Sequence, residues 1–225
     1  MMTSQFPEQL LAKIERCGVV AVLVLDDADH AVPVANALLE GGIEAIELTL
    51  RTPAALAGLQ KIRKSVPEIL AGIGTVLTTD QVTDIVAAGA QFAVAPGLNP
   101  RVVRAAQAAN LPFAPGIVTP SDLEAAIELG CREVKFFPAE PSGGLTYLKS
   151  IAAPYAHLGI RYIPLGGVSP ENLADYLAYP AIAAVGGSWL APRNIIRDEN
   201  WGLIRRHASV ATEIAKQARN KSQEV

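Results

Sequence analysis

Lys135 sits in Glu133-Val134-Lys135-Phe136-Phe137-Pro138, a short apolar run that reads as a buried strand. An ammonium walled by Val and Phe is costly unless it is paired or gives up its proton. A lysine that gives up its proton near neutral pH is a nucleophile able to form a Schiff base with a carbonyl substrate. For any lysine this requires about 4–5 kcal/mol of differential destabilisation of the ammonium. Desolvation beside Phe137 and repulsion from a cation such as Arg51 both act in that direction. Two non-catalytic readings compete: a lysine snorkelling from a strand end, or one paired with Glu133, which two residues away on a strand shares its face.

A second group lies in Ala45-Ile46-Glu47-Leu48-Thr49-Leu50-Arg51. Period-two alternation puts Glu47, Thr49 and Arg51 on one face and Ile46, Leu48 and Leu50 on the other. A carboxylate on an inward face is suited to acid/base work; the alternative is an internal Glu47–Arg51 ion pair with no chemistry. Glycines then follow two late strands, in Pro164-Leu165-Gly166-Gly167-Val168 and Gly186-Gly187-Ser188. Bare amides there can wrap an anion such as phosphate, with Ser188 as an extra donor. Gly72-Ile73-Gly74-Thr75 allows close backbone approach and offers a hydroxyl at a strand end, although such a threonine is also an ordinary turn residue. Pro96 and Pro115 read as strand terminators.

These residues need elements to hold them. Apolar strand-like runs occur at Val19–Leu25, Ala45–Leu50, Leu70–Val76, Phe92–Pro96, Phe113–Val118, Glu133–Pro138, Tyr162–Gly166 and Ile182–Gly186. A helix over about Pro7–Arg16 precedes the first. Helical stretches begin near His30, Pro53, Thr79, Pro100, Ser121, Gly144, Pro170 and Trp201. Thr119-Pro120-Ser121-Asp122 and Ser169-Pro170-Glu171 supply polar caps and prolines at helix starts, and Gly41-Gly42, Gly89 and Gly130 follow helix ends. Eight strand–helix units in about 200 residues, without a linker, predict an α/β fold: a single (β/α)₈ TIM barrel over residues 1–225 with an extra N-terminal helix. An open doubly wound sheet is the competing architecture. In such a barrel the βα loops at the C-terminal strand ends carry the active site, which is where the polar and bare positions above fall.

Composition narrows the function. Half of the 225 residues are apolar, 18% are charged and the net charge is −3, so a sizeable core is expected and no electrostatic footprint for nucleic acid or an anionic membrane. Aromatics at 5% give no stacking platform for single strands. The two cysteines, Cys17 and Cys131, have no metal-like spacing and read as free thiols of a reducing compartment. Residues Met1 to Arg16 lack a signal-peptide pattern and no apolar run is long enough to span a bilayer, so a cytoplasmic location is expected. Asp26, Asp27, Asp29 and His30 could form a metal cluster but read better as a solvated turn and helix cap. The other histidines, His157 and His207, are scattered, so no metal site is assigned.

With these pieces placed, the chain resembles the 2-keto-3-deoxy-6-phosphogluconate (KDPG) aldolase and 4-hydroxy-2-oxoglutarate aldolase family over nearly its whole length. The matching blocks include Gly42–Thr52 with Glu47-Leu48-Thr49-Leu50-Arg51-Thr52, Gly74-Thr75-Val76-Leu77, Pro96-Gly97-Leu98, Pro115-Gly116-Ile117, Lys135-Phe136-Phe137-Pro138-Ala139-Glu140, Gly166-Gly167-Val168-Ser169-Pro170 and Gly186-Gly187-Ser188-Trp189-Leu190. The resemblance implies a metal-independent, cofactor-free class I aldolase that assembles as a homotrimer and takes a phosphorylated keto-sugar acid. It implies that Lys135 forms the imine and Glu47 is the acid/base catalyst. Arg51, Thr75, Pro96 and Phe137 would line the pyruvyl carboxylate pocket, and Gly166, Gly167 and Ser188 would hold the phosphate. The expected reaction is reversible cleavage of KDPG to pyruvate and glyceraldehyde 3-phosphate.

One position departs from the pattern. Gluconate-type members carry Pro-Thr-Gly-Gly where this chain has Pro164-Leu165-Gly166-Gly167. Galactonate-type relatives carry an apolar residue there, so Leu165 is the candidate specificity residue; a lost hydrogen-bond donor shifts discrimination by about 1–3 kcal/mol. The Phe-Phe-Pro-Ala-Glu and Gly-Gly-Ser-Trp blocks still favour the gluconate type. The rivals are a sister aldolase for the galactonate epimer or for 4-hydroxy-2-oxoglutarate, and a non-catalytic phosphosugar-binding barrel. A metal-dependent ribulose-phosphate epimerase would need histidine and aspartate ligands at strand ends, which this chain does not offer.

Overall fold

The computed structural model describes residues 5–223, with side chains through residue 220; the outermost ends of the expected 1–225 domain lie outside the described residues. Within them the fold is α/β, built on curled parallel sheets. Helix α1 (Glu8–Cys17) comes first. Strands β1 (Val19–Leu23), β2 (Ala45–Thr49) and β3 (Leu70–Gly74) then alternate with helices α2 (Ala31–Glu40), α3 (Ala54–Ser65) and α4 (Thr79–Ala87). The middle of the chain gives β4 (Ala93–Val94), α5 (Pro100–Ala108), β5 (Phe113–Ala114), β6 (Gly116–Ile117), α6 (Pro120–Glu128), β7 (Glu133–Phe136) and α7 (Gly144–Ala152). It closes with β8 (Arg161–Pro164), α8 (Pro170–Leu177), β9 (Val185–Gly187), α9 (Arg193–Arg197) and α10 (Trp201–Gln223).

One sheet has the order β5-β4-β3-β2-β1-β9 and the other β6-β7-β8, with every pairing parallel. Parallel bridges Tyr162↔Ile182 and Leu165↔Gly186 join the β8 side to the β9 side. The expected fifth strand, Phe113–Val118, is split into β5 and β6 at Pro115. Proline has no N–H for the ladder, but its carbonyl still accepts from Lys135 N at 2.9 Å. The expected last strand, Ile182–Gly186, is shifted: only Val185–Gly187 forms a ladder, and Ile182 makes a single bridge. Helix α9 was not legible, because five residues are too few to show a helical period.

Helix starts follow the caps in the sequence. Thr78 with Gln81, Thr119 with Asp122 and Ser169 with Asn172 form reciprocal capping boxes. Each satisfies orphan amides and contributes about 1 kcal/mol. The alternation of the strands separates two cores. Val19, Ala21 and Leu23 of β1, with Ile46 and Leu48 of β2, pack toward the helices. Their neighbours Val20, Ala45, Leu70, Phe92, Val94, Ala114 and Ala184 face the opposite way and pack with Ile14 of α1, which Leu10 and Leu11 flank. Helix α1 therefore plugs the N-terminal ends of the strands, and the positions farther along each strand face the C-terminal ends.

Candidate active site

Farther along β2 the inward positions become polar. Glu47 and Thr49 are buried, and among the described residues the only buried charged side chains are Glu47, Glu133 and Lys135. Lys135 Nζ donates to Glu47 Oε1 at 3.2 Å and approaches Oε2 at 3.5 Å. The two side chains are 6% and 3% exposed, so water cannot screen them. A buried pair of this kind is weak evidence of stability, because its Coulombic gain offsets a large desolvation cost. It is what a proton-transfer pair requires. The alternative partners, Glu133 for Lys135 and Arg51 for Glu47, are not the ones in this contact. Phe137, two residues along, places its ring centroid 5.4 Å from Nζ.

The surrounding backbone shapes this pair. Thr49 Oγ1 donates to Leu23 O at 3.1 Å, and the Thr52 hydroxyl donates to Leu25 O. These bonds tie the end of β2 to the end of β1. Between them Arg51 N donates to Thr49 O at 2.7 Å, a tight turn that leaves the Arg51 guanidinium exposed at the mouth. Gly74 of β3 lies against the carboxylate: a Cβ there would stand 1.7 Å from Glu47 Oε1. The glycine's bareness makes room for the Glu47 side chain. Thr75 follows with φ +63°, a left-handed conformation that is uncommon for a β-branched residue and that tends to occur at functional sites.

A cleft of about 180 Å³ collects these groups. All ten sequence-predicted site residues line it: Lys135, Glu47, Arg51, Thr75, Pro96, Phe137, Leu165, Gly166, Gly167 and Ser188. Val22, Thr49, Val168 and Gly186 join them. Thr49 was visible on the polar face of β2, Gly186 belongs to the glycine run read as an anion site, and Val22 follows from β1 alternation; Val168 carried no chemical signal. At the far side Gly166 and Gly167 adopt φ +96° and +87°, conformations that L side chains rarely take. This double-glycine turn leads into α8, and Ser188 stands exposed just after β9. A bare glycine turn before a helix start, next to a hydroxyl, suits an anion. Leu165 is 6% exposed, and its side chain fills the space that a Gly186 Cβ would take, 2.1 Å from Leu165 Cγ.

The acidic turn after β1 resolves into structure. Asp27 accepts from Asp29 N at 2.8 Å, Asp29 pairs with Lys61 and Asp26 pairs with Arg193. The Arg193 hydrogen bonds hold the Asp26 carboxyl below its ordinary range. Among the described residues no group of three His, Cys, Asp or Glu side chains is placed to hold a metal ion. His30 lies 3.4 Å from Glu199 and edge-on to Trp201, away from the cleft. Cys17 and Cys131 are both free and buried. Among the described residues no helix is long and apolar enough to cross a membrane.

Residues 10–207 match the model of the KDPG and KHG aldolase family. The chain is 41% identical over 209 residues to a 2-dehydro-3-deoxy-phosphogluconate aldolase of Haemophilus influenzae, covering 93% of this chain and 98% of that protein. It is 43% identical over 198 residues to the KHG/KDPG aldolase of Escherichia coli strain K12, covering 88% and 92%. Among solved structures, a KDPG aldolase of Legionella pneumophila holding pyruvate as a covalent carbinolamine intermediate superposes with a TM-score of 0.85. That pair shares 37% identity over 89% of this chain and 97% of the other.

Proposed function

The chain belongs to the KDPG and KHG aldolase family, and from that premise we propose that it is a class I, metal-independent aldolase. It cleaves KDPG reversibly to pyruvate and glyceraldehyde 3-phosphate. The observation that carries this reading is the buried Lys135–Glu47 contact at the C-terminal strand ends. The carbinolamine captured in the Legionella pneumophila aldolase supports the same chemistry.

Lys135 Nζ, after passing its proton to Glu47, attacks the C2 ketone to form a carbinolamine. Glu47 returns a proton to the departing hydroxyl, water leaves, and a protonated imine remains. A base, Glu47 directly or through one water, removes the C4 hydroxyl proton. The C3–C4 bond breaks, its electrons flow into the imine, and the aldehyde departs. Protonation of the resulting enamine at C3 and hydrolysis of the imine release pyruvate. Arg51 at the mouth is the partner for the substrate carboxylate, and its planar guanidinium suits bidentate binding. Thr75, Pro96 and Phe137 wall the pyruvyl group. Gly166, Gly167 and Ser188 hold the phosphate. Leu165 lies beside the substrate's middle carbons, where its lack of a donor relaxes choice between C4 epimers.

We read the two sheets as one closed (β/α)₈ barrel forming a single domain, with α1 as an extra N-terminal helix. Supporting this are the β9–β1 pairing, the two bridges between the β8 and β9 sides, and the direct succession of β5 and β6 across Pro115. We place the enzyme in the cytoplasm as a homotrimer, by family likeness. The test of function is pyruvate release from the phosphorylated gluconate and galactonate keto acids and from 4-hydroxy-2-oxoglutarate, assayed side by side. The reading expects the gluconate compound to be cleaved, with the galactonate epimer as the second substrate. Release from none of them, with pyruvate still bound, would favour a non-catalytic barrel.

A further inference from the structure

Glu140 closes the Lys135-Phe136-Phe137-Pro138-Ala139-Glu140 block, yet it does not line the cleft. Its surroundings connect it to the double-glycine turn. Ala139 N donates to Leu165 O at 2.7 Å and Glu140 N donates to Gly166 O at 2.9 Å, so the segment after β7 pins the backbone that enters the turn. The Glu140 side chain packs on the turn itself: a Cβ at Gly167 would meet Glu140 Cβ at 2.6 Å and Cγ at 2.8 Å. Its carboxylate end accepts a hydrogen bond from the Tyr176 hydroxyl at 2.5 Å. Tyr176 is 1% exposed, on α8, the helix that the turn leads into. Burial, and then the Glu140 carboxylate, push the Tyr176 phenol above its ordinary range, so it remains a donor.

We propose that Glu140 and Tyr176 are positioning residues for the anion site: a clamp joining the strand that carries Lys135 to the helix behind the Gly166-Gly167 turn. Two consecutive glycines at positive φ have many alternative conformations, and freezing them before the substrate arrives removes an ordering cost from binding. Glu140 is exposed as a residue, but its stem packs on the turn and its carboxylate is bonded to a buried phenol, which supplies that restraint from outside the cleft, where it touches no reacting atom. The proposal rests on the reading of this turn as the phosphate site.

The experiment compares wild type with Tyr176→Phe, Glu140→Ala and Glu140→Gln. It reads KM and kcat for KDPG, cleavage of 4-hydroxy-2-oxoglutarate, competition by inorganic phosphate, and borohydride trapping with pyruvate. The expected result for Tyr176→Phe and Glu140→Ala is a rise in KM for KDPG of about tenfold, the scale of one lost charge-assisted hydrogen bond. Inhibition by inorganic phosphate weakens in parallel, while trapping with pyruvate and cleavage of the unphosphorylated acid stay within about twofold. Glu140→Gln keeps an acceptor for Tyr176 and shows the smallest change. Equal losses on phosphorylated and unphosphorylated substrates, or an unchanged KM in both clamp-breaking variants, would overturn the clamp while leaving wild-type phosphate competition intact. If wild type itself shows no phosphate competition, the phosphate-site reading falls first and the proposal with it.

Discussion

Replacing Gly74 with alanine adds one methyl group, and the structure specifies what that group meets. Its Cβ would stand 1.7 Å from Glu47 Oε1, 2.4 Å from Cδ and 2.7 Å from Cγ, all below the contact distance that real side chains show. Gly74 has no positive φ, so the backbone accepts alanine and the conflict falls on the carboxylate. Glu47 must swing away, and its 3.2 Å contact with Lys135 Nζ is lost. Misplacing an acid/base group costs up to the 10²–10⁴ that such a group contributes, so kcat should fall by about 10²-fold or more. The loss in stability should remain in the range of ordinary overpacking, about 1–3 kcal/mol. Gly72→Ala is the matched control. Its Cβ would meet the Phe92 ring at 2.5 Å, in the apolar cluster near α1 rather than at the carboxylate. It should lower Tm comparably yet retain most of kcat. Steady-state kinetics on both variants, with circular dichroism melts, make the comparison. Wild-type kcat in Gly74→Ala, or equal kcat losses in the two variants, would show that Gly74 does not set the position of the Glu47 carboxylate.

Further outcomes follow from the same geometry. Glu47→Gln keeps the shape of the side chain but removes proton transfer, and should lower kcat by about 10²–10⁴ in the pyruvate-release assay. Leu165→Thr restores a donor at the cleft wall and should shift the ratio of kcat/KM for the two C4 epimers by about 5- to 100-fold toward the gluconate compound. Burial, reinforced by Glu133, pushes the Cys131 thiol up to about 12. Because the folded value lies above the unfolded one, the stability it contributes is complete below the unfolded thiol's range and is lost as pH rises toward about 12. Urea titrations of wild type and Cys131→Ala from pH 8 upward should show wild type losing ground steadily.

Much of the site could be read from residue types and spacing. Lys135 is conspicuous because a charge in a Val/Phe strand is costly, and Glu47 because alternation isolates it on an inward face. Their pairing was legible only through the family resemblance: 88 residues separate them, and on local grounds the nearer carboxylate, Glu133, and the nearer cation, Arg51, were equally good partners. The glycines of Gly72-Ile73-Gly74 were correctly read as permitting close approach, but what approaches is protein: the Phe92 ring at one and the Glu47 carboxylate at the other. Strand ends were the weakest expectation, because hydrogen-bonded ladders end where Pro115 or a turning backbone removes a partner, while apolar character continues past them. Thr75's left-handed backbone has no counterpart in composition at all, since a β-branched residue is unexpected there. Glu140 lies within a matched block, yet its contacts with Gly167 and Tyr176 depend on helix α8 folding back against the segment after β7.

The proposed chemistry depends on an imine between Lys135 and a keto acid. Incubating the protein with pyruvate and sodium borohydride, then mapping peptides by mass spectrometry, reads that bond out. A stable reduced adduct is expected on the peptide containing Lys135, absent without pyruvate and absent in Lys135→Ala. An unmodified Lys135 peptide, or an adduct on a different lysine with undiminished pyruvate release by Lys135→Ala, would contradict it.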